Sequence, residues 1–133
     1  MTSDQTFIIS GRRTIEIEKN AIDAIIPRIG EDFSTACRII LECSGRVVVV
    51  GMGKSGHIGN KISATLASTG TPAFFVHPGE ASHGDMGMIT TDDVVLAISN
   101  SGETSEVVTL IPLFKRMGAS VISMTGKPAS TLA

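Results

Sequence analysis

The sequence predicts an α/β protein: a three-layer, doubly wound parallel sheet with helices on both faces, preceded by two N-terminal helices. Apolar residues first recur at helical spacing, a β-branched run then begins at Val47, and strand-like segments afterwards alternate with helix-like ones. Because a helix connects each strand to the next, the strands should be parallel and the crossovers right-handed. We expect N-terminal helices in residues 1–45 and the α/β core in residues 46–133.

Two helices are predicted before the first strand. Apolar residues from Asp4 to about Pro27 recur every three to four positions, and Gly11 weakens this helix without breaking it. A second helix is expected from about Gly30 to Cys43, where Ser44 and Gly45 end it.

Four strands and two crossover helices are predicted in the remainder, with a glycine-rich loop from His77 to Met88. Ligands bind beyond the carboxyl ends of the strands in sheets of this kind. The predicted strands are Val47–Val50, Ala73–Val76, Asp93–Ile98 and Ser120–Met124, and the predicted helices are Ser55–Ser68 and Ser105–Met117.

Charge and hydropathy exclude several classes of function. The net charge is -2, the eleven Lys and Arg residues are scattered, and Trp and Tyr are absent, so a nucleic-acid surface is not expected. The chain has no apolar run of the roughly 18 residues that span a bilayer, and its first residues lack a leader pattern. We therefore expect a cytoplasmic protein that does not bind membranes.

The loop from Gly51 to Gly56 follows a strand and opens a helix, so its backbone N–H groups can hold a phosphate. It satisfies a dinucleotide fingerprint, but the next strand ends without an acidic residue for a ribose hydroxyl. A Walker A loop is excluded because Val48 stands where its first glycine belongs. A tight structural turn is the alternative, but Lys54 and Ser55 favour a phosphate or a developing oxyanion.

A second loop, Ser99 to Glu106, carries four hydroxyl side chains and again opens a helix. Helix capping by Ser101 or Thr104 is the structural alternative. Two such loops at neighbouring strand ends make capping alone a poor explanation.

The glycine-rich loop from His77 to Asp85 contains two histidines and two acidic residues. The six-residue spacing of the histidines matches no known zinc signature, so no metal is expected. His83 can titrate near neutral pH and so can move protons, although a lone loop histidine is more often a surface or capping residue.

The Ser-x-Ser-Gly-x-Thr motif at Ser99–Thr104, after a glycine-rich turn, resembles the SIS domain, whose members bind phosphosugars. Within that family, three further segments resemble the D-arabinose 5-phosphate isomerases: Gly51–Gly59, Ala67–Ala81 and His83–Asp85. The similarity runs from about Arg46 to Lys127 and is looser in the leading helices.

The resemblance implies a role for each matching residue. The implied phosphate ligands are Ser55, Ser99, Ser101 and Thr104. The implied catalytic residues are Lys54, His83 and Glu106, and the implied substrate-binding residues are Gly53, Gly70, Thr71 and His77. Glu106 is our candidate base, Lys54 would stabilise the oxyanion, and His83 would open the ring or shuttle protons.

The implied reaction interconverts D-ribulose 5-phosphate and D-arabinose 5-phosphate through an enediolate, without a metal or redox cofactor, and feeds the synthesis of Kdo for lipopolysaccharide or capsule. Family members assemble as homotetramers, which the long first helix could support. They also continue beyond the motifs present here, so residues 46–133 are expected to be a C-terminally truncated SIS core.

Two other functions compete with the isomerase. A regulatory SIS module would bind a phosphosugar without converting it and would need no base, whereas the match from His77 to Asp85 favours the enzyme. A nicotinamide dehydrogenase is disfavoured because the ribose-binding acid is missing.

Overall fold

The computed structural model describes residues 3–81 and 84–133. Its contacts divide the chain into two compact units, one of residues up to Cys37 and one of residues from Arg38 onward. The strands are β1 (Val47–Gly51), β2 (Ala73–Val76), β3 (Val94–Ile98) and β4 (Ser120–Met124). The α-helices are α1 (Ser3–Asp23), α2 (Glu31–Leu41), α3 (Gly53–Ser68), α4 (Pro78–Ala81), α5 (Ser105–Val108) and α6 (Ile111–Arg116).

The first unit contains α1 and a 3₁₀ turn, Ile26–Arg28. Gly11 lies within α1 and does not interrupt it, as predicted. Every residue of α1 is exposed, including several large apolar side chains: Phe7, Ile8, Ile9, Ile15, Ile17 and Ile22. No helix in residues 3–81 and 84–133 is both long enough and apolar enough to cross a membrane.

The second unit is built on a four-stranded sheet in the order β2-β1-β3-β4. All three neighbouring pairs of strands are parallel. The connections after β1 and after β3 therefore leave in opposite directions along the sheet, which is the doubly wound arrangement. The α/β fold predicted from the sequence is confirmed.

Helices cover both faces of this sheet, as the continuous valine run of β1 predicts. On one face, Val47 and Val49 lie in a cluster with Ile62 and Leu66 of α3. On the other face, Val48 and Val50 belong to the cluster that contains Phe114 of α6. All four valines are fully buried, so β1 forms the centre of the core.

Two connections differ from the sequence prediction. The helix expected from Ser105 to Met117 is two short helices, α5 and α6, because Pro112 lacks the N–H group that a continuous helix would donate to Val108. The loop expected from His77 to Met88 contains α4 and a 3₁₀ turn, Asp85–Met88.

A buried carboxylate links two backbone segments at the amino edge of the sheet, where the strands begin. Asp93 is 1% exposed. Its Oδ1 accepts the backbone N–H of Arg46 at 2.7 Å, and its Oδ2 accepts the backbone N–H of Thr90 at 2.8 Å. The Arg46 guanidinium lies 3.4 Å from the same carboxylate. Burial alone would raise the pKa of Asp93, but the hydrogen bonds from Thr90 and Arg46 together lower it.

Candidate functional site

The candidate site lies at the carboxyl edge of the sheet, between β1 and β3. Gly51, the last residue of β1, pairs in register with Ile98, the last residue of β3. The chain then turns towards β2 from one strand and towards β4 from the other. Ligands of doubly wound sheets bind where the connections diverge in this way. The topology therefore places the two predicted loops at adjacent strand ends.

The first loop leads directly into α3, which begins at Gly53, two residues earlier than predicted. Lys54 is exposed and Ser55 is half-buried in the first turn of this helix. A Cβ atom at Gly56 would lie 2.8 Å from the carbonyl oxygen of Gly51, so this glycine lets the helix pack closely on its strand. The turn therefore has a packing role besides any role in binding.

The second loop brings the hydroxyl groups of two residues to the buried side chain of Ser99. The Ser99 Oγ lies 2.8 Å from Thr104 Oγ1 and 3.5 Å from Ser101 Oγ. It also accepts the backbone N–H of Gly102 at 3.0 Å. We call Ser99, Ser101 and Thr104 the hydroxyl cradle.

Helix capping does not account for the cradle. Thr104 is the N-cap residue of α5, but its side chain makes no capping hydrogen bond. Ser101 accepts the backbone N–H of Glu103 at 3.2 Å, which is a local turn contact before the helix. Hydroxyl groups arranged in this way can donate to the oxygen atoms of a phosphate.

Glu106 lies in the first turn of α5 with an exposed side chain. Hydrogen bonds from its own backbone N–H and from the Ser105 hydroxyl, which lies 2.8 Å from Glu106 Oε2, lower the pKa of this carboxyl group. It is therefore ionised at neutral pH, the form that a base needs.

His77 follows β2 and is half-buried. Its Nδ1 accepts the backbone N–H of Gly79 at 3.1 Å, so the neutral ring carries its proton on Nε2. His77 and Gly53 line the same cavity, of about 170 Å³, together with His57, Asn60 and the ring of Phe75. The structure thus brings together two of the four predicted substrate-binding residues.

Gly70 and Thr71 lie at the opposite edge of the sheet in this chain. They end α3 and precede β2, and Gly70 has a φ of 99° while the Thr71 N–H bonds the carbonyl of Leu66 at 2.9 Å. The four residues of β2 separate them from the carboxyl edge by roughly 13 Å. His83, the remaining predicted catalytic residue, lies outside the described residues.

Sequence reasoning missed the segment after β4, which is bonded to the loop that carries the cradle. The Gly126 N–H bonds the carbonyl of Asn100 at 3.1 Å, and the Leu132 N–H bonds the carbonyl of Gly102 at 3.0 Å. No motif marks these contacts, because they join residues far apart in sequence. Among the residues that the structure describes, no three His, Cys, Asp or Glu side chains form a group that could hold a metal ion.

Two curated relatives share high identity with this chain, and both are named arabinose 5-phosphate isomerase KdsD. The protein from Pseudomonas aeruginosa is 66% identical over 133 residues, which are 100% of this chain and 41% of that protein. The protein from Escherichia coli K12 is 54% identical over 124 residues, which are 93% of this chain and 38% of that protein. The chain thus spans about two fifths of the length of these relatives.

A solved structure from Escherichia coli CFT073, in complex with arabinose 5-phosphate, has the same fold. It superposes with a TM-score of 0.93 at 44% identity, covering 100% of this chain and 70% of that one. Residues 40–133 match the family model described as the SIS domain, which includes the whole sheet and both loops of the site. The chain therefore belongs to the SIS domain family.

Proposed function

We propose that this chain carries the phosphosugar-binding and proton-transfer part of an aldose–ketose isomerase that interconverts D-ribulose 5-phosphate and D-arabinose 5-phosphate. The hydroxyl cradle is the observation that carries the proposal, because its three hydroxyls meet where ligands of this fold bind. The names of the two curated relatives and the arabinose 5-phosphate bound to the matched structure support the same substrate.

The cradle and Ser55 would hold the phosphate. The hydroxyls of Ser55, Ser101 and Thr104 would donate to its oxygens, and the buried Ser99 would donate to Thr104 Oγ1 and keep it in place. Their positions at neighbouring strand ends support this assignment, since β1 and β3 are paired in register. Gly53 and His77, which line one cavity beside the glycine turn, are proposed to contact the sugar. Gly70 and Thr71 are not assigned to this site.

Glu106 is the proposed base. It would take a proton from C1 of the ketose, leaving an enediolate, and the return of a proton to C2 with proton transfer between the two oxygens gives the aldose. Its exposed position in the first turn of α5 supports the role, because a substrate in the loop can reach the ionised carboxylate. Lys54 would stabilise the negative oxygen, and His83 would move protons between the oxygens.

We also propose that the protein assembles as a homo-oligomer, with a tetramer as the expected state. The exposed apolar side chains of α1 support this, because a second copy could cover them. The proposed setting is the cytoplasm, with the product feeding Kdo synthesis for lipopolysaccharide or capsule. Light scattering on the purified chain measures its mass in solution directly.

The catalytic proposal is tested by NMR. The purified chain is incubated with D-arabinose 5-phosphate, and the appearance of D-ribulose 5-phosphate is followed beside the Glu106→Gln variant and the full-length Pseudomonas aeruginosa relative. We expect turnover by the chain and at least a roughly 100-fold loss in the variant, as is typical when a general base is removed. Turnover by the relative alone would mean that this chain is an incomplete isomerase domain, whereas binding without turnover by either protein would favour a regulatory phosphosugar-binding module.

A further inference from the structure

Glu103 lies in the middle of the loop that carries the hydroxyl cradle, but its carboxylate bonds a residue of the segment after β4. Its Oε1 accepts the backbone N–H of Thr131 at 2.7 Å, and its Oε2 accepts the Thr131 hydroxyl at 2.7 Å. These charge-assisted hydrogen bonds connect residues 28 positions apart in the sequence. We call this pair of bonds the Glu103–Thr131 clamp.

The clamp is one of several contacts that fix the loop to the segment after β4. Gly102 has a φ of 67°, and a Cβ atom there would overlap the side chain of Ser130, so the two segments are in close contact. Leu132 is buried in a cluster with Ala97 of β3 and Val107 of α5. The position of the loop therefore depends on the segment that follows β4.

Hydrogen bonds from Thr131, first from its hydroxyl and then from its backbone N–H, lower the pKa of Glu103. The carboxylate is therefore charged at neutral pH, within an anion-binding loop. A free carboxylate at this position would repel a phosphate. Thr131 donates a hydrogen bond to each oxygen of the Glu103 carboxylate. These two bonds fix the position of the charge and also order the loop.

We propose that Glu103 is a positioning residue, which acts with Thr131 to hold the hydroxyl cradle in the geometry that binds the phosphate of the sugar. Glu103 acts through its neighbours, Gly102 and Thr104, and does not itself contact the ligand. The inference rests on the proposed function, because it assumes that the cradle binds phosphate.

The test compares three threonine variants in calorimetric titrations with D-arabinose 5-phosphate at neutral pH, well below the unfolding temperature of each. Thr131→Val removes the hydroxyl of the clamp and keeps the shape of the side chain. Thr131→Ser keeps the hydroxyl. Thr65→Val, on the exposed surface of α3, is the matched control.

We expect Thr131→Val to weaken binding about 5- to 10-fold, which is less than the full effect of a lost hydrogen bond to a charged group because Glu103 acts on the ligand only through its neighbours. Thr131→Ser should bind within about twofold of the wild-type chain, and so should Thr65→Val. A purely structural role would lower the unfolding temperature of Thr131→Val but leave the affinity of the folded protein unchanged, and that result would overturn the proposal.

A spectroscopic measurement tests the clamp without any ligand. The amide resonance of Thr131 should titrate with the carboxyl group of Glu103, with a midpoint below the ordinary glutamate pKa of 4.5. The same transition should be missing in Glu103→Gln. A Thr131 amide that does not respond to Glu103 in this way would rule out the clamp.

The two proposals fail in different ways. If the wild-type chain does not bind D-arabinose 5-phosphate, the proposed function of the cradle is wrong and the inference falls with it. If the wild-type chain binds and Thr131→Val binds equally well, only the positioning role is wrong.

Discussion

The two edges of the sheet both carry polar side chains, but they use them differently. At the amino edge, Asp93 is buried and both of its oxygens accept hydrogen bonds from Arg46 and Thr90. At the carboxyl edge, the hydroxyls of Ser101 and Thr104 each approach the hydroxyl of the buried Ser99. The carboxylate at the amino edge is fully hydrogen-bonded within the chain. The carboxyl edge still has hydroxyl groups that can bond a ligand.

We infer from this difference that the amino edge contributes to stability and the carboxyl edge to ligand binding. A buried carboxylate is tolerated when all of its hydrogen bonds are made, and removing it leaves buried donors without an acceptor. Partly exposed hydroxyls contribute less to stability, but they remain available to a ligand. Substitutions at the amino edge should therefore affect unfolding, and substitutions at the carboxyl edge should affect phosphosugar binding.

The largest effect is expected for Asp93→Ala. This change leaves the backbone N–H groups of Arg46 and Thr90 without their acceptors, so the free energy of unfolding should fall by about 3 kcal/mol. Urea denaturation measures the change. The matched control is Asp92→Asn on the exposed neighbour, which should alter the same free energy by less than about 0.5 kcal/mol. Equal losses in the two variants would contradict the role of Asp93.

Ser99→Ala should affect both properties, because Ser99 is buried and belongs to the cradle. Loss of its hydroxyl removes an acceptor of the Gly102 N–H and the contact with Thr104, so we expect a loss of about 1 kcal/mol in unfolding free energy. Affinity for D-arabinose 5-phosphate should fall about 10-fold. Denaturation and calorimetric titration on the same preparation measure the two effects, and full affinity in Ser99→Ala would remove Ser99 from the proposed site.

Ser101→Ala should separate the two properties. Ser101 is exposed, so its removal should change the free energy of unfolding by less than about 0.5 kcal/mol. We expect the affinity for D-arabinose 5-phosphate to fall about fivefold, because one phosphate donor is lost. A Ser101→Ala protein that loses stability but keeps its affinity would contradict the assignment of binding to the carboxyl edge.

The titration of Asp93 is expected to have the smallest effect on the free energy of unfolding over the ordinary pH range. Its folded pKa lies below the ordinary aspartate value of 3.8, so its contribution to stability is complete above that value and is lost as the pH falls through the folded pKa. Urea denaturation at a series of pH values should therefore show an Asp93-dependent loss of unfolding free energy only in acid. The Asp93→Asn variant should lack that component, and an identical pH profile in both proteins would contradict the assignment.

Much of the fold could be predicted from the sequence because local patterns determine it. The valine run of β1 requires cover on both faces, and the strand Ala73–Val76 was predicted with the bounds that the structure has. The break between α5 and α6 could also have been predicted, because Pro112 has no backbone N–H to donate to the carbonyl of Val108. The position of Gly70 and Thr71 could have been foreseen as well, because residues that precede a parallel strand lie at its amino end.

Other features depend on tertiary structure. The Glu103–Thr131 clamp joins residues whose separation carries no periodic signal, and it forms only because β4 lies beside β3. The approach of Ser99 to Thr104 also depends on the turn at Gly102, although the motif itself marked both residues. The motif therefore identified the residues of the candidate site, whereas the structure was needed to find what holds them in place.

The central position of β1 has a consequence for aggregation. Four consecutive β-branched residues without a charge form the type of segment that associates with copies of itself when it is exposed. Pairing with β2 and β3 leaves β1 with no free edge, and Arg46 places a charge immediately before the run. Variants that loosen the Arg46–Asp93 contact would expose this segment, so their thermal unfolding is expected to be irreversible and to depend on protein concentration.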